Sequence, residues 1–247
     1  MVGLLFFGMQ WDGRVIGHEY CSAFEARHPQ THEHLLLSAA HCMKSASSPW
    51  WSWYPEGRRE QSIGLWVKHA EVLRGQDVIY WNWGRGRPGH APVITQSWPM
   101  TDETITLKGY PGSSTFQSIE CQYRGIRMDE KPNQPGLWVR IQLECPAQRY
   151  QGLSGGLAIR ENGEVLGVLV GGNMSGFRPA QELLVEPLWL GLTPTPLTTE
   201  VKSSVYQDQW IRLKTLGAQV LSYEVRTPEG LVWAAWQEKE SPTPSPF

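Results

Sequence analysis

The chain has 247 residues, 40% of them hydrophobic, 11% aromatic and 19% charged. That length suits one large domain or two small ones, and the composition excludes a disordered chain. Its 25 glycines and 18 prolines, spread along the sequence, exclude a coiled coil or helical repeat, and a net charge of −2 gives no basic excess for nucleic acid or anionic membrane.

The opening run Met1-Val2-Gly3-Leu4-Leu5-Phe6-Phe7-Gly8 has no basic lead and is too short for a secretory core. No segment has the length of a membrane span. A cytoplasmic protein is expected, or a secreted one if a signal segment has been removed. Apolar or alternating runs at 35–40, 63–67, 78–83, 104–108, 137–143 and 221–226 read as strands. Asn162-Gly163 marks a two-residue hairpin turn between strands at 157–160 and 165–170. Pro228-Glu229-Gly230 marks another turn, between 221–226 and 231–236. One helix is expected at 205–216, where Val205, Trp210, Leu213 and Leu216 fall roughly on one stripe. The low-complexity tail 241–247 reads as disordered or as the start of a linker. Many short strands punctuated by turns predict an all-β barrel or sandwich.

Three segments carry candidate chemistry. Leu35-Leu36-Leu37-Ser38-Ala39-Ala40-His41-Cys42 is a strand that ends in small residues and a histidine. Gln76-Asp77-Val78-Ile79-Tyr80-Trp81 opens a strand with an aspartate, and Gln151-Gly152-Leu153-Ser154-Gly155-Gly156 sets a serine in a glycine-rich turn. A serine hydroxyl is a poor nucleophile at neutral pH and needs an adjacent base. His41 can take that proton and return it to the leaving group, and Asp77 would fix the imidazole tautomer. The N–H groups of Gly152 and Ser154 would form an oxyanion hole.

On these residues the chain resembles the chymotrypsin/trypsin-like serine peptidases. Ser38 to Cys42 match the family's histidine motif, Asp77-Val78-Ile79 match its aspartate strand in part, and Gly152 to Gly156 match its Gly-Asp-Ser-Gly-Gly motif with one change. Lys108-Gly109-Tyr110-Pro111-Gly112 and Gly167-Val168-Leu169-Val170-Gly171-Gly172 resemble the bacterial, glutamyl-endopeptidase-like branch. The resemblance covers roughly residues 14 to 190. It implies two antiparallel six-stranded β-barrels with a C-terminal helix and an extra hairpin. The first barrel, 1–100, would carry His41 and Asp77, and the second, 101–195, would carry Ser154. Residues 196–247 would add the helix, the hairpin and a disordered tail. Gly171 and Gly172 would pair with an extended substrate backbone. Gln148 falls at the floor of the specificity pocket, where its neutral amide disfavours Lys or Arg. Gly172 would leave the pocket wall open, so a neutral, mainly apolar residue is expected before the scissile bond. Acidic residues come second, should Arg149 or Arg178 turn inward.

The sequence departs from the family at Leu153, where secreted members have an aspartate that receives a freshly cut N-terminus. Cys21 and Cys42 sit where the family has a disulfide, and Cys121 and Cys145 are candidates for another; in a reducing cytosol all four are thiols. Should Asp77 prove silent, Asp102 is the next carboxylate to test.

Other clusters admit more than one reading. His28, His32 and His34 are a metal cluster or a polar hairpin loop, and no Cys/His partner completes a zinc pattern. Arg85-Gly86-Arg87 is a fragment of a nucleic-acid loop or a solvated turn. Trp50, Trp51, Trp53 and Tyr54 are core packing or an aromatic lid over the cleft. The expected function is a serine endopeptidase, intracellular and regulated as bacterial relatives in defence systems are, with a protein or peptide substrate and a regulatory protein partner. No cofactor, metal, nucleic acid or membrane is expected. The alternative is an inactive peptidase fold kept as a peptide-binding module. An esterase on the same triad is opposed by the lack of βαβ units.

Overall fold

A computed structural model of the chain describes residues 1–237 apart from 12–13, 44–49, 57, 74, 86–89, 112–114, 132–133, 149, 151, 173–179, 194, 203–208 and 231. The tail 241–247, Gly86, Gly112, Arg87, Arg149, Arg178 and Val205 lie outside the described residues.

The first sheet is antiparallel. Its strands are β1 (Val2–Trp11), β2 (Arg14–Arg27), β3 (His34–Ala39), β4 (Trp50–Pro55), β5 (Ile63–Trp66), β6 (Glu71–Val72) and β7 (Val78–Gly84), in the order β5-β4-β1-β2-β3-β7-β6. The two edge strands are joined by a single 3-10 turn, Val67–His69. β5 and β6 therefore follow one another along the chain, and the short turn draws the two edges of the sheet toward each other, curling it into a half-barrel. The sheet thus has seven strand segments where six are expected.

The second sheet closes by hydrogen bonding. β8 (Thr104–Gly109), β9 (Gln117–Lys131), β10 (Gln134–Gln148), β13 (Ala180–Pro187), β12 (Val165–Gly172) and β11 (Leu157–Arg160) form a six-stranded ring in that order. The hairpin at Asn162-Gly163 is present, but its loop spans three residues. Arg160 bonds across it to Glu164, and Gly163 takes a left-handed φ of +84°. A short helix, α1 (Leu188–Leu192), buries Leu188, Trp189 and Leu190.

Beyond α1 the chain adds β14 (Leu197–Lys202), β15 (Trp210–Leu216), β16 (Gln219–Arg226) and β17 (Val232–Gln237) to the edge of β10 through β16. The helix expected at 205–216 is not formed where the chain is described. Residues 210–216 are β15, because Ile211, Leu213 and Thr215 are buried while Trp210, Arg212 and Lys214 are exposed. That alternation has period two, which a strand satisfies and a helix cannot. The turn at Pro228-Glu229-Gly230 closes through Gly230 N–H to the Thr227 carbonyl at 2.9 Å and joins β16 to β17.

Two features lock the barrels together. β3 is buried at all six positions, since one face fills the first barrel and the other meets the second. The connecting segment bonds to both sheets. Ile94 N–H reaches the Arg27 carbonyl at 3.1 Å, and Thr95 N–H reaches the Val165 carbonyl at 2.8 Å. In β4 the alternation sends Trp51 and Trp53 into the core, against Trp81 and Trp83 at ring-centre distances of 5.7 and 5.4 Å. Trp50 faces outward and leans on Trp66, so core packing holds for the two inward tryptophans.

Candidate active site

The register of β3 on β7 places His41 beside Asp77. Its last pair is Ala39 with Val78, and the ladder gains one more bond as Ala40 N–H reaches the Asp77 carbonyl at 3.0 Å. The chain then turns in a 3-10 segment, Ala40–Met43, that lifts His41 out of the sheet. Both Asp77 carboxylate oxygens are used on this histidine. Oδ1 accepts the His41 backbone N–H at 2.7 Å, and Oδ2 lies 2.6 Å from the ring Nδ1. The side chains keep 35% and 24% of their surface exposed, so the pair lies in a partly open crevice.

The serine turn belongs to the second barrel but is held by the first. Ser22 N–H donates to the Ser154 carbonyl at 2.7 Å. Gly155 sits so close to β2 and β3 that a Cβ there would lie 2.0 Å from the Ser22 carbonyl oxygen and 2.4 Å from Ser38 Oγ. Its φ of +81° is the left-handed conformation that favours glycine. From the second barrel, Gly155 N–H bonds to the Leu169 carbonyl and Leu169 N–H to the Gly156 carbonyl. Gly152 also has a left-handed φ, +84°, and the Ser154 N–H meets no acceptor among the described residues. Of the three expected side chains, hydrogen bonds join His41 to Asp77; among the described residues none joins the Ser154 hydroxyl to the imidazole.

The Cys21–Cys42 disulfide ties these parts covalently. Cys42 follows His41, and Cys21 precedes the Ser22 that grips Ser154. Cys121–Cys145 is a second disulfide, across β9 and β10. Leu153 is fully buried: Gly109 and Gly156 are packed so tightly against it that a Cβ on either would strike its atoms.

Beyond the pair of Leu157 with Val168, β12 runs on without β11, and among the described residues no strand pairs with Val170 to Gly172 on that side. A Cβ at Gly171 would meet nothing within 4 Å, whereas one at Gly172 would strike the Glu182 carbonyl at 2.5 Å. The open position is Gly171. Gly172, expected to leave the pocket wall open, is packed against β13. Gln148 pairs with Ala180 at the end of β10, and its side chain lies outside the described part of the structure.

Asp102 is an exposed residue whose carboxylate pairs with Arg124 at 2.7 Å. The three loop histidines also separate. His28 Nδ1 accepts the Gln30 and Thr31 N–H groups at 3.2 Å each, His32 has a φ of +58°, and His34 is buried in β3. Among the described residues no group of three or more His, Cys, Asp or Glu is placed to hold a metal ion. Sequence reasoning missed Ser22, Gln76 as an anchor, and Glu186. Each acts through a contact more than a hundred residues away along the chain, and no local pattern marks it.

No family model and no curated protein sequence matches the chain. Solved structures do. The active form of the Rv3671c protease from M. tuberculosis gives a TM-score of 0.54 at 20% identity, over 74% of this chain and 74% of that one. The thermostable serine protease AL20, from an extremophilic microorganism, gives 0.52 at 14% identity, over 77% of this chain and 92% of that one. The HtrA-type protease AlgW with a tripeptide gives 0.50 at 15% identity, over 77% and 57%. With the closed ring of the second sheet and the curled first sheet, these likenesses show that the chain has the double-barrel, chymotrypsin-like fold of the serine proteases.

Proposed function

We propose that the chain is a serine endopeptidase that cleaves protein substrates through an acyl-enzyme on Ser154. His41 takes the Ser154 hydroxyl proton as the oxygen attacks the scissile carbonyl. It then gives that proton to the leaving amine, and water repeats the sequence to release the acyl group. Asp77 keeps the Nδ1 proton facing itself and Nε2 free for the hydroxyl. The N–H groups of Gly152 and Ser154 receive the oxyanion, a term typically worth about 3–4 kcal/mol of barrier per donor.

The observation that carries this reading is the doubly bonded His41–Asp77 pair, at 2.7 and 2.6 Å, with the serine turn clamped to the same barrel by Ser22. The edge of β12 that no described strand pairs with supports binding of an extended peptide by strand addition, with Gly171 leaving room for the chain. The Gly109-Tyr110-Pro111 and Gly167–Gly172 sequences favour the bacterial glutamyl-endopeptidase-like branch. Leu153 holds by burial a place where an activation-dependent carboxylate would need an ion pair, so activity does not require a newly cut N-terminus. Control then falls to a partner protein, as in the regulated effectors that this fold supplies to bacteria. Labelling with a fluorophosphonate probe tests the proposal: the wild type reacts and Ser154→Ala does not. Absence of labelling in folded wild-type protein contradicts it and supports the binding-module alternative.

A further inference from the structure

The turn that carries Asp77 is held from the second barrel as well as from its own. Within its own sheet, Gln76 N–H donates to the Leu73 carbonyl at 3.0 Å and Leu73 N–H to the Val78 carbonyl at 2.9 Å. From the other side Gln76, almost wholly buried, donates from Nε2 to the Pro187 carbonyl at 2.6 Å. Two residues before Asp77, the contact is an indole. A Cβ at Gly75 would overlap Cζ3, Cη2 and Cε3 of Trp138, so the outer ring of that side chain lies against the glycine backbone. Gly75 has a left-handed φ of +69°, and Trp138 is buried. The strand behind the indole is braced in turn: Trp138 pairs with Gln219 of β16, and Val139 N–H reaches the Ala218 carbonyl at 2.9 Å. The ring therefore stands between the sheet added beyond α1 and the turn that presents the carboxylate. A close-packed ring leaves no slack, so its place sets the place of Gly75.

We propose that Trp138 is a positioning residue for Asp77. By backing Gly75 it keeps the carboxylate where one oxygen meets the His41 backbone N–H at 2.7 Å and the other the ring Nδ1 at 2.6 Å. Two acceptors aimed at two fixed donors tolerate little displacement. This rests on the peptidase reading, in which Asp77 orients the base.

The test reads two quantities, the rate constant of fluorophosphonate labelling and the downfield NMR resonance of the proton shared by His41 Nδ1 and Asp77. Trp138→Phe keeps an aromatic ring but withdraws the outer atoms that meet Gly75. It slows labelling about tenfold and moves the resonance upfield. Gly75→Ala drives a methyl group into the indole, displaces the turn and slows labelling about a hundredfold. Combining the two gives the methyl group the space that the shorter ring vacates, so the double variant labels about tenfold faster than Gly75→Ala alone. The left-handed φ strains both alanine variants equally, and only relief of the clash distinguishes them. A merely structural role lowers the melting temperature and leaves rate and resonance in place. An unmoved resonance in folded Trp138→Phe, or a double variant slower than either single one, overturns the proposal. Should Gly75→Ala not fold, the resonance in Trp138→Phe decides alone. If the wild type does not label at all, the peptidase reading fails, while the resonance still decides the role of Trp138.

Discussion

Replacing Asp77 by Asn tests the arrangement at its most constrained point. The carboxylate serves two donors on one residue, the His41 backbone N–H at 2.7 Å and the ring Nδ1 at 2.6 Å. The backbone N–H cannot become an acceptor, so the single oxygen of an asparagine must stay on it. The Nδ2 amide group of the asparagine is then left facing Nδ1, and two donors cannot share that contact. The imidazole resolves the conflict by moving its proton to Nε2, which removes the lone pair that would accept the serine proton. A wrong tautomer of this kind typically lowers the rate about 10⁴-fold, ~5–6 kcal/mol of barrier. The assay is the rate constant of fluorophosphonate labelling, with circular dichroism to show an intact fold. Labelling within about tenfold of wild type would falsify the assigned role of Asp77.

Gly155→Ala drives a methyl group to 2.0 Å from the Ser22 carbonyl, displaces Ser154 and slows labelling about a hundredfold. Gly163→Ala has the same left-handed φ but open space, so it costs about 1–2 kcal/mol in chemical denaturation and leaves labelling unchanged. Gly171→Val should fold normally yet raise KM for peptides, whereas Gly172→Val should fail to fold; the reverse pattern refutes the assignment of the open edge. Burial lowers the proton affinity of His28, with Glu33 opposing and His32 assisting, and its Nδ1 accepts two N–H groups only when unprotonated. Because the folded form disfavours the proton, this contribution is complete above the ordinary value of about 6.5. It is lost as pH falls toward and through the lowered value. An NMR midpoint for His28 at or above 6.5 contradicts this.

The residues of the candidate site were legible in sequence because each motif is contiguous: Ser38 to Cys42, Asp77 to Ile79 and Gly152 to Gly156 each occupy one short segment. The pairing of His41 with Asp77 follows from two apolar strands whose register buries Leu35, Leu36, Leu37, Val78 and Ile79. What supports the site was not legible. Ser22 and Glu186 reach it only after the barrels dock, and their neighbours in sequence carry no sign of it. The expected helix at 205–216 shows a different limit, since its apolar stripe was loosely spaced while the alternation of Ile211, Leu213 and Thr215 fitted a strand. Gly171 and Gly172 look alike in sequence, and only the approach of β13 distinguishes the open one from the packed one.

Whether Ser154 is a nucleophile activated by His41 is decided most directly by the site of probe attachment. Full-length protein is treated with a fluorophosphonate at neutral pH and the adduct is located by peptide mass spectrometry. A single adduct on Ser154 is expected, absent from Ser154→Ala, and reduced by orders of magnitude in His41→Ala because the two residues act as one unit. An adduct on any other residue, or undiminished labelling in Ser154→Ala, contradicts the account.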